Sequence, residues 1–541
     1  MKKVLSIIGI FWALTNAGLY AQNNFYFNTY GSTSGDEEME AVIGTRDSGL
    51  LIAGASNSFS TGGDEDLLML KTDSLGNLQW AKVYGGAASD MATDVRETSD
   101  GGLIVVGWTQ SFGAAGYDFW VLKTDNMGNV QWQNRYGGNG NDQAWSVAVD
   151  NNAYFVVGGT DSYGAGLTDL WALKLDLNGN IIWQKTYGSA GDDAPPGLYA
   201  EYVAKGLIDQ NGNYLIAGMT DGIGHGATDI YLAKLDPANG NIIWQYAYGD
   251  VDEESFWAFT ASPTGGYYLP GNRVDPVTFE ADLWVVYVDT TGAIQWQKTF
   301  GIPGKWDEAL NATALSDGSV ILAAYFEDNA ANWTASALKA DKNGNFLWAN
   351  QYKAGDLDWT NAVSPMPDNS LVFVGVTTNT STWDEDLTLF RTNSDGAILG
   401  CNVISALNLT VAGTNTTRQS INLTVTATTV SPVGTSSTPA NVSVTNTGTC
   451  AVVLATEKPT PEANDILIYP NPTKGAIEVR FAARQTEVTG VVKNNLGQVI
   501  SRKVWRYTDA VTLRINAPMG VYILELVNGK GEKTIVKIIK N

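Results

Sequence analysis

Three tryptophans stand beside carboxylates at points where the sequence departs from its own internal repeat. They are Trp306 in GKWDEA, Trp359 in DLDWTNA and Trp383 in TSTWDED. An aromatic face can stack on the apolar face of a sugar ring while a neighbouring carboxylate accepts hydrogen bonds from the sugar hydroxyls. The three residues are therefore candidate ligand-binding residues. The alternative is that their side chains pack between structural units.

One insertion adds residues of the same kind. Successive repeat tryptophans are 61 residues apart in the interval that holds it, against 51 or 52 elsewhere, and the excess falls in DDAPPGLYAEY. Its two prolines stiffen the segment, and Tyr199, Glu201 and Tyr202 supply stacking faces and a carboxylate. We expect these three residues to take part in ligand binding as well.

Acidic residues recur in the loops of the repeat units. Such side chains accept hydrogen bonds from the main-chain N–H groups of turns, so capping of turns is the first interpretation. The second is Ca²⁺ coordination, which needs several oxygens from one loop. GDEE and VDEE have the oxygens without an EF-hand pattern, and no other cofactor is predicted. The first set of acids is Glu37, Asp90, Asp142, Asp192, Asp252, Asp307 and Asp358; the second is Asp66, Asp118, Asp169, Asp229, Asp282 and Asp386, with Thr334 as the exception.

The histidine content limits the catalytic chemistry. His225, in GIGHGAT, is the only histidine among 541 residues. A zinc site built on several histidines is excluded, and a Ser-His-Asp triad would have to use this residue. A polysaccharide hydrolase or lyase would instead rely on carboxylates. Nothing in the sequence selects two of the many acids for that task, so no catalytic residue is assigned.

An internal repeat of about 52 residues must position all these side chains. The pattern Asp-x-x-Gly-Asn-x-x-Trp recurs, and one unit contains four short apolar strands joined by turn residues. Four-stranded units repeated around an axis predict an all-β protein, a β-propeller. The third strands end in seven places, which predicts seven blades, with eight as the alternative. The lone N-terminal strand FYFNTYG (25–31) would complete the last blade. The repeat tryptophans are Trp80, Trp132, Trp183, Trp244, Trp296 and Trp348.

Two resemblances accompany this repeat. The turn from Asp236 to Trp244 resembles the tryptophan-docking motif of quinoprotein-like propellers, in which the indole packs between neighbouring blades. This likeness implies a packing device and no quinone chemistry. The sequence pattern of the whole repeat is similar to that of uncharacterised exported propeller repeats.

The segments outside the repeat suggest a multi-part chain. Residues 1–21 have a basic start and an apolar run, as a signal peptide does, and 22–404 form the propeller. Residues 405–456 are rich in Thr and Ser, which predicts strands, a hairpin or a stalk. Cys401 and Cys450 bracket that segment and are expected to form a disulfide in an exported protein, two free thiols being the alternative. Residues 457–465 read as an extended linker.

The last 76 residues, 466–541, closely resemble the type A C-terminal sorting domain of type IX secretion. The likeness rests on three motifs: YPNPTKG, GVYILEL and the terminal KTIVKIIKN. Short alternating strands also predict a small Ig-like β-sandwich here. The resemblance implies a type IX translocon and its C-terminal signal peptidase as partners, with release or attachment to surface lipopolysaccharide. The sorting-motif residues are Tyr469, Pro470, Asn471, Pro472, Gly475, Gly520 and Tyr522.

The net charge and the hydropathy of the chain limit the classes of binding partner that we expect. The net charge is −23, and because residues 466–541 carry 12 Lys/Arg and 5 Asp/Glu, the rest of the chain has a net charge of −30. Such a surface repels phosphate backbones, so nucleic acid is not expected. No apolar run after residue 21 is long enough to span a bilayer. We therefore predict a secreted or cell-surface protein that binds a glycan or a protein in an adhesive role. The alternatives are a carboxylate-dependent hydrolase or lyase and a structural surface protein with Ca²⁺-stabilised loops.

Overall fold

The chain folds into two compact units, residues 1–453 and 454–541. None of the residues that the structure describes lies in a helix. Accordingly, the described part of the chain has no helix suited in length and apolar character to crossing a membrane. The computed structural model describes residues 25–32, 35–60, 64–113, 116–193, 203–222, 224, 227–278, 280–327, 332–398, 404–407, 409–414, 417–420, 424–427, 433–434, 440–441, 445–452, 466–469, 475–494, 498–515, 517–518, 520–528 and 533–540.

The repeat units of the first compact unit each form one antiparallel sheet. Apolar runs of about seven residues alternate with Gly-, Asn- and Asp-rich turns, which is the pattern of short strands. The strands are β1 (Phe25–Gly31), β2 (Glu37–Gly44), β3 (Leu50–Ser56), β4 (Asp66–Thr72), β5 (Leu78–Tyr84), β6 (Asp90–Glu97), β7 (Leu103–Thr109), β8 (Asp118–Thr124), β9 (Val130–Tyr136), β10 (Asp142–Val149), β11 (Tyr154–Thr160), β12 (Asp169–Leu175), β13 (Ile181–Gly188), β14 (Lys205–Ile208), β15 (Tyr214–Thr220), β16 (Asp229–Leu235), β17 (Ile242–Gly249), β18 (Glu253–Phe256), β19 (Thr260–Ala261), β20 (Tyr267–Val274), β21 (Ala281–Val288), β22 (Ile294–Gly301), β23 (Asp307–Ala314), β24 (Val320–Glu327), β25 (Trp333–Ala340), β26 (Phe346–Tyr352), β27 (Leu357–Pro365), β28 (Leu371–Asn379) and β29 (Asp384–Thr392).

These strands group into seven sheets among the described residues. Sheets 1 to 4 are β2–β5, β6–β9, β10–β13 and β14–β17; sheets 5 and 6 are β18–β22 and β23–β26. Sheet 7 is β27–β28–β29 completed by β1, which pairs antiparallel with β29. The N-terminal strand thus completes the last sheet, as the sequence predicts. The prediction of repeated four-stranded sheets is confirmed as well.

The core lies between the sheets rather than in one central mass. Seven clusters of buried apolar side chains each join two neighbouring sheets, and one of them joins sheet 7 to sheet 1. The middle strands are covered on both faces, so β3 and β4 are buried along their whole length. This explains why these strands read as continuous apolar runs instead of alternating ones.

The Thr- and Ser-rich segment adds one more strand to each of the seven sheets, next to the outer strand. Its short strands pair with the outer strands β26, β22, β17, β13, β9 and β5 in that order, and finally with β1. The segment therefore visits sheets 6, 5, 4, 3, 2, 1 and 7, and we call it the belt. Its strands are β30 (Ile404–Ala406), β31 (Thr410–Gly413), β32 (Thr417–Ser420), β33 (Thr424–Ala427), β34 (Val433–Gly434), β35 (Ala440–Asn441) and β36 (Thr445–Val452).

The described residues of the second compact unit form a five-stranded antiparallel sheet with its own core. The order is β37–β38–β40–β41, with β39 also paired to β38. The pairing of β38 with β39 is interrupted between Arg480 and Gln485, and side chains from both halves of the sheet share one cluster. The Ig-like sandwich stays a prediction. The strands are β37 (Ile466–Tyr469), β38 (Ala476–Asn494), β39 (Val499–Arg514), β40 (Gly520–Asn528) and β41 (Lys533–Lys540).

Candidate functional site

The first set of loop acids caps the turn that precedes each inner strand. Asp142 accepts hydrogen bonds from the Gly138 amide and the Ser162 hydroxyl, both at 2.8 Å, and burial raises the pKa of its carboxyl. Each sheet places one carboxylate at this position. In sheets 4 and 5 the capping residues are Asp193 and Glu254, which corrects the predicted Asp192 and Asp252. The full set is Glu37, Asp90, Asp142, Asp193, Glu254, Asp307 and Asp358.

The second set of acids fits against glycines. Asp118 begins β8, and a Cβ added to Gly137, just after β9, would lie 1.7 Å from its Oδ1. Asp66, Asp169, Asp229, Asp282 and Asp386 meet a glycine in the same way. Sheet 6 is the exception on both sides, because Thr334 takes the place of the aspartate and Lys353 takes the place of the glycine. The first set of acids therefore caps turns, and the second set packs closely against glycines.

The repeat tryptophans and the tryptophans outside the repeat lie on different turn faces. On one face, the indole N–H groups of three repeat tryptophans donate to main-chain carbonyls of the next sheet. Trp132 Nε1 donates to Leu177 O at 3.0 Å, Trp183 Nε1 to Pro237 O at 3.1 Å, and Trp296 Nε1 to Lys342 O at 2.9 Å. On the opposite face, each inner strand begins, the second strand ends and the third begins, so their end residues come together. That second face carries the tryptophans outside the repeat.

An aromatic row crosses from sheet 6 to sheet 7 on that second face. Trp306, in the turn before β23, donates its Nε1–H to Glu308 Oε1 at 2.6 Å. Glu308 is opposite Tyr325 on β24 and is hydrogen-bonded to it. The ring centroid of Tyr325 lies 5.2 Å from that of Trp333, which lies 6.4 Å from that of Trp359 on β27. We call these five residues the aromatic row.

Two residues of the row, Trp333 and Tyr325, are not among the residues predicted from the sequence. Trp333 begins β25 and is 36% exposed, while Tyr325 is buried near the end of β24. A signal was present, because Trp333 directly precedes Thr334, the one exception among the second set of acids. The loss of the repeated aspartate at Thr334 therefore also indicates the position of this site.

Carboxyl groups lie along the base of the row. Burial raises the pKa of Glu308. Burial also raises the pKa of Asp307, and although hydrogen bonds from main-chain amides oppose this, the pKa remains at about 7. Glu327 accepts a 3.1 Å hydrogen bond from the Trp306 amide and a 3.2 Å ion pair from Lys305. Aromatic faces therefore stand beside carboxyl groups that form hydrogen bonds, an arrangement suited to a hydroxylated ligand.

Trp383 lies apart from the row within the same set of loops. It occupies the β28–β29 turn, its side chain is 67% exposed, and the ring pairs of the row do not include it. Its φ of 61° is left-handed, a conformation that a bulky residue rarely adopts. Its amide donates to Asn379 O at 2.7 Å, which closes the turn.

Other predicted residues lie wholly or partly outside the described residues. Tyr199, Glu201, Tyr202, Cys401 and His225 are outside, and only the main chain of Cys450 is described, opposite Phe27. The ligand-binding and disulfide predictions for them therefore stay predictions. In the sorting motif, Pro470, Asn471 and Pro472 are also outside. Among the described residues, no group of three or more Asp, Glu, His or Cys side chains is placed to hold a metal ion, and Ca²⁺ binding stays a prediction.

Four sorting-motif residues lie at turns and strand ends in the second unit. Gly475 precedes β38 with a φ of 117°, which suits glycine. Gly520 begins β40, and the buried Tyr522 donates its hydroxyl to Pro518 O at 2.6 Å. Tyr469 ends β37 and pairs with Glu478. These positions give the motif a structural basis in this sheet.

Comparison with solved structures finds similarities at low sequence identity. A protein of unknown function from Bacteroides caccae is 10% identical, with a TM-score of 0.31, covering 57% of this chain and 98% of that one. The β-propeller domain of the Trilobed protease from Pyrococcus furiosus is 9% identical, with a TM-score of 0.39, covering 67% and 98%. Sqt1 from Chaetomium thermophilum is 9% identical, with a TM-score of 0.38, covering 69% and 99%. The fold assignment rests on the sheet topology described above.

Sequence comparison is informative for the C-terminal unit. The regulatory protein FlaEY from Caulobacter vibrioides is 27% identical over 158 residues, covering 24% of this chain and 17% of that protein. The match thus covers less than a fifth of that relative's length. Residues 467–541 match the family described as the secretion system C-terminal sorting domain. This chain therefore carries a C-terminal sorting domain of the type IX secretion system and is exported to the cell surface or secreted.

Proposed function

We propose that this exported protein is a seven-bladed β-propeller that binds a glycan through the aromatic row of sheets 6 and 7. The observation that carries the proposal is the continuity of the row, from Trp306 through Glu308, Tyr325 and Trp333 to Trp359. Seven sheets, each packed against two neighbours, support the blade count.

The exposed parts of the row suit a sugar chain better than a flat protein surface. Trp333 is edge-on to Trp359, with an interplanar angle of 79°, so the two rings form the walls of a step. Sugar rings stack on such faces, and their hydroxyls can donate to carboxylates or accept from neutral carboxyl groups. Trp383, exposed in the adjacent turn, would extend the same surface.

The test is a glycan-array and polysaccharide-release screen on the exported chain, with and without Ca²⁺. Trp333→Ala and Trp359→Ala should each weaken binding at least about fivefold, since a stacked ring contributes on the order of 1–3 kcal/mol. Ile243→Ala removes an apolar side chain that is 57% exposed in the outer strand of sheet 4, and binding should be unchanged. Equal binding by all variants would contradict the proposal.

The same screen separates binding from catalysis. If the protein released sugar products and Glu308→Gln abolished the release, the row would belong to a hydrolase or lyase. If neither binding nor release occurred, a protein partner or a structural role would replace the glycan. Binding that required Ca²⁺ would support Ca²⁺-stabilised loops.

The export route is the second part of the proposal. A signal peptide at residues 1–21 would direct the chain to the periplasm, and the type IX translocon would recognise the sorting domain. A C-terminal signal peptidase would then cut within 457–465, with release or attachment to lipopolysaccharide. Intact-mass measurement of the exported protein tests this: its ends should be Gln22 and a residue of the linker. A mass that retains residues 466–541 would contradict it.

A further inference from the structure

The turn face that carries the repeat tryptophans contains a cavity of about 660 Å³ at the boundary of sheets 5 and 6. Its aromatic walls are Tyr287, the last-but-one residue of β21, and Trp296 in β22. Their ring centroids are 5.8 Å apart. The polar groups around them include Thr264, Asp289, Gln295 and Asn343.

Sheet 2 shows how the equivalent place is filled in another sheet. There Lys123 holds the position of Tyr287, and its Nζ lies 3.0 Å from Asp100 Oδ2. The same Nζ donates to Thr124 O at 3.0 Å and to Gln131 Oε1 at 3.1 Å. The ammonium group thus connects the turn between β6 and β7, which holds Asp100, to the outer strand β9, which holds Gln131.

Sheets 1 and 7 repeat that bridge with their own residues. Lys71 Nζ lies 3.0 Å from Asp47 Oδ2, and Arg391 Nη2 lies 2.7 Å from Asp368 Oδ2. In sheet 6 burial alone would raise the pKa of Asp317, but hydrogen bonds from Ser319 and, after them, the charge of Lys339 leave that pKa lowered.

Sheet 5 has lost both partners of the bridge together. Thr264 stands where Asp100 stands in sheet 2, and Tyr287 stands where Lys123 stands. Tyr287 donates its hydroxyl to the carbonyl of Gly265 and stacks on Tyr268 at 4.5 Å. Gln295, the counterpart of Gln131, is exposed and lines the cavity. The charged bridge is replaced by an open space with aromatic walls.

We propose that this cavity is a second binding site, for a single neutral sugar residue. The half-buried faces of Tyr287 and Trp296 match the apolar face of a pyranose ring, and Thr264, Gln295 and Asn343 offer both donors and acceptors to its hydroxyls. Asp289 holds Gln295 Nε2 at 3.1 Å and fixes that side chain. This site is independent of the aromatic row, because it lies on the other turn face.

The experiment is saturation-transfer NMR with titration of the exported chain by a panel of neutral hexoses and N-acetylhexosamines. Binding of at least one sugar in the millimolar range or tighter is expected. Thr264→Asp/Tyr287→Lys rebuilds the bridge of sheet 2 and should weaken that binding at least tenfold with an unchanged or higher Tm. Gln295→Ala should weaken it several-fold, while Gln131→Ala, the matched change in sheet 2, should leave it unchanged.

Two results would overturn the second site. One is the absence of binding by every sugar in the panel. The other is binding that persists in both the double variant and Gln295→Ala. Trp359→Ala separates this site from the aromatic row: it should leave monosaccharide binding here intact, so failure of the row as a glycan site would not remove this one.

Discussion

The hydroxyl of Tyr248, at the end of the outer strand of sheet 4, donates a 2.8 Å hydrogen bond to the main-chain carbonyl of Gly292 in sheet 5. Five other outer-strand tyrosines bind the turn glycine of the following sheet in the same way. Phe300 in sheet 5 has no hydroxyl, and Lys298 Nζ takes over by donating to Gly344 O at 2.8 Å. At each of these interfaces, the main-chain carbonyl of the turn glycine therefore accepts a hydrogen bond from a side chain of the preceding sheet. The five other tyrosines are Tyr30, Tyr84, Tyr136, Tyr187 and Tyr352.

Tyr248→Phe should therefore destabilise the ring. The substitution keeps the ring of the side chain in place but leaves a buried carbonyl without its donor, which costs about 1–3 kcal/mol. We expect a lower midpoint in urea unfolding with the same dependence on denaturant. Tyr246→Phe is the matched control, since Tyr246 is on the same strand and only half-buried. If both variants lost the same stability, the interface bond would have no special role.

The sequence predicts the sheets well because the same physical demand recurs in every unit. The turn glycine, the repeat tryptophan and the apolar middle strands each recur at a fixed spacing, and the isolated strand β1 follows from the missing partner of β29. Trp333 could not be placed, because its partner Trp359 is 26 residues away in another sheet. The belt strands could not be assigned either, since their partners are strands up to several hundred residues earlier.

Gly85→Ala should disrupt sheet 1. A Cβ at residue 85 would lie 1.7 Å from Asp66 Oδ1 and 2.4 Å from its Cγ, so the aspartate must move. Overpacking of this kind typically costs about 1–3 kcal/mol. Thermal unfolding should show a lower Tm.

The companion variant uses the natural exception in sheet 6. Asp66→Thr combined with Gly85→Ala imitates the pairing of Thr334 with a residue other than glycine, and it should recover part of the lost Tm. Lys353→Ala, at the matching place in sheet 6, should change the Tm by no more than about a degree. A double variant less stable than Gly85→Ala alone would argue against the pairing.

Removal of the belt should make the ring self-associate. Truncation after residue 403 would leave the outer strand of each sheet with an unpaired edge, and exposed edges pair with other chains. Size-exclusion chromatography should then show oligomers or aggregate at micromolar concentration. Truncation after Val453 keeps all belt strands and removes only the second unit, so that chain should elute as one discrete species. Identical elution of the two chains would show that the belt does not protect the edges.

Protein stability should rise as the pH falls from 8 to about 5. Burial, with repulsion from neighbouring acids, raises the pKa of Glu38 to about 8. Burial likewise raises the pKa of Glu254 to about 8 and that of Glu37 to about 7. A carboxyl with a raised pKa keeps its proton longer in the folded chain than in the unfolded chain, so its ionisation favours unfolding. The contribution is complete below about pH 4 and is lost as the pH rises through 7 to 8. Calorimetry should show a higher Tm at pH 5 than at pH 8.

The trend should reverse in stronger acid, because other carboxyls have lowered pKa values. At Asp100 burial works in the opposite direction, but hydrogen bonds from Thr98 and Lys123 lower the pKa to about 2. The stabilisation from that ionised group is present above about pH 4 and is lost as the pH falls towards 2. Glu38→Gln isolates the alkaline side: it removes one raised carboxyl, so the difference in Tm between pH 5 and pH 8 should shrink. Asp47→Asn is the control, since the pKa of Asp47 is lowered and its loss should leave that difference unchanged. A Tm that is flat or rising between pH 5 and pH 8 in the unmodified chain would mean that these acids are ionised in the folded protein at no cost.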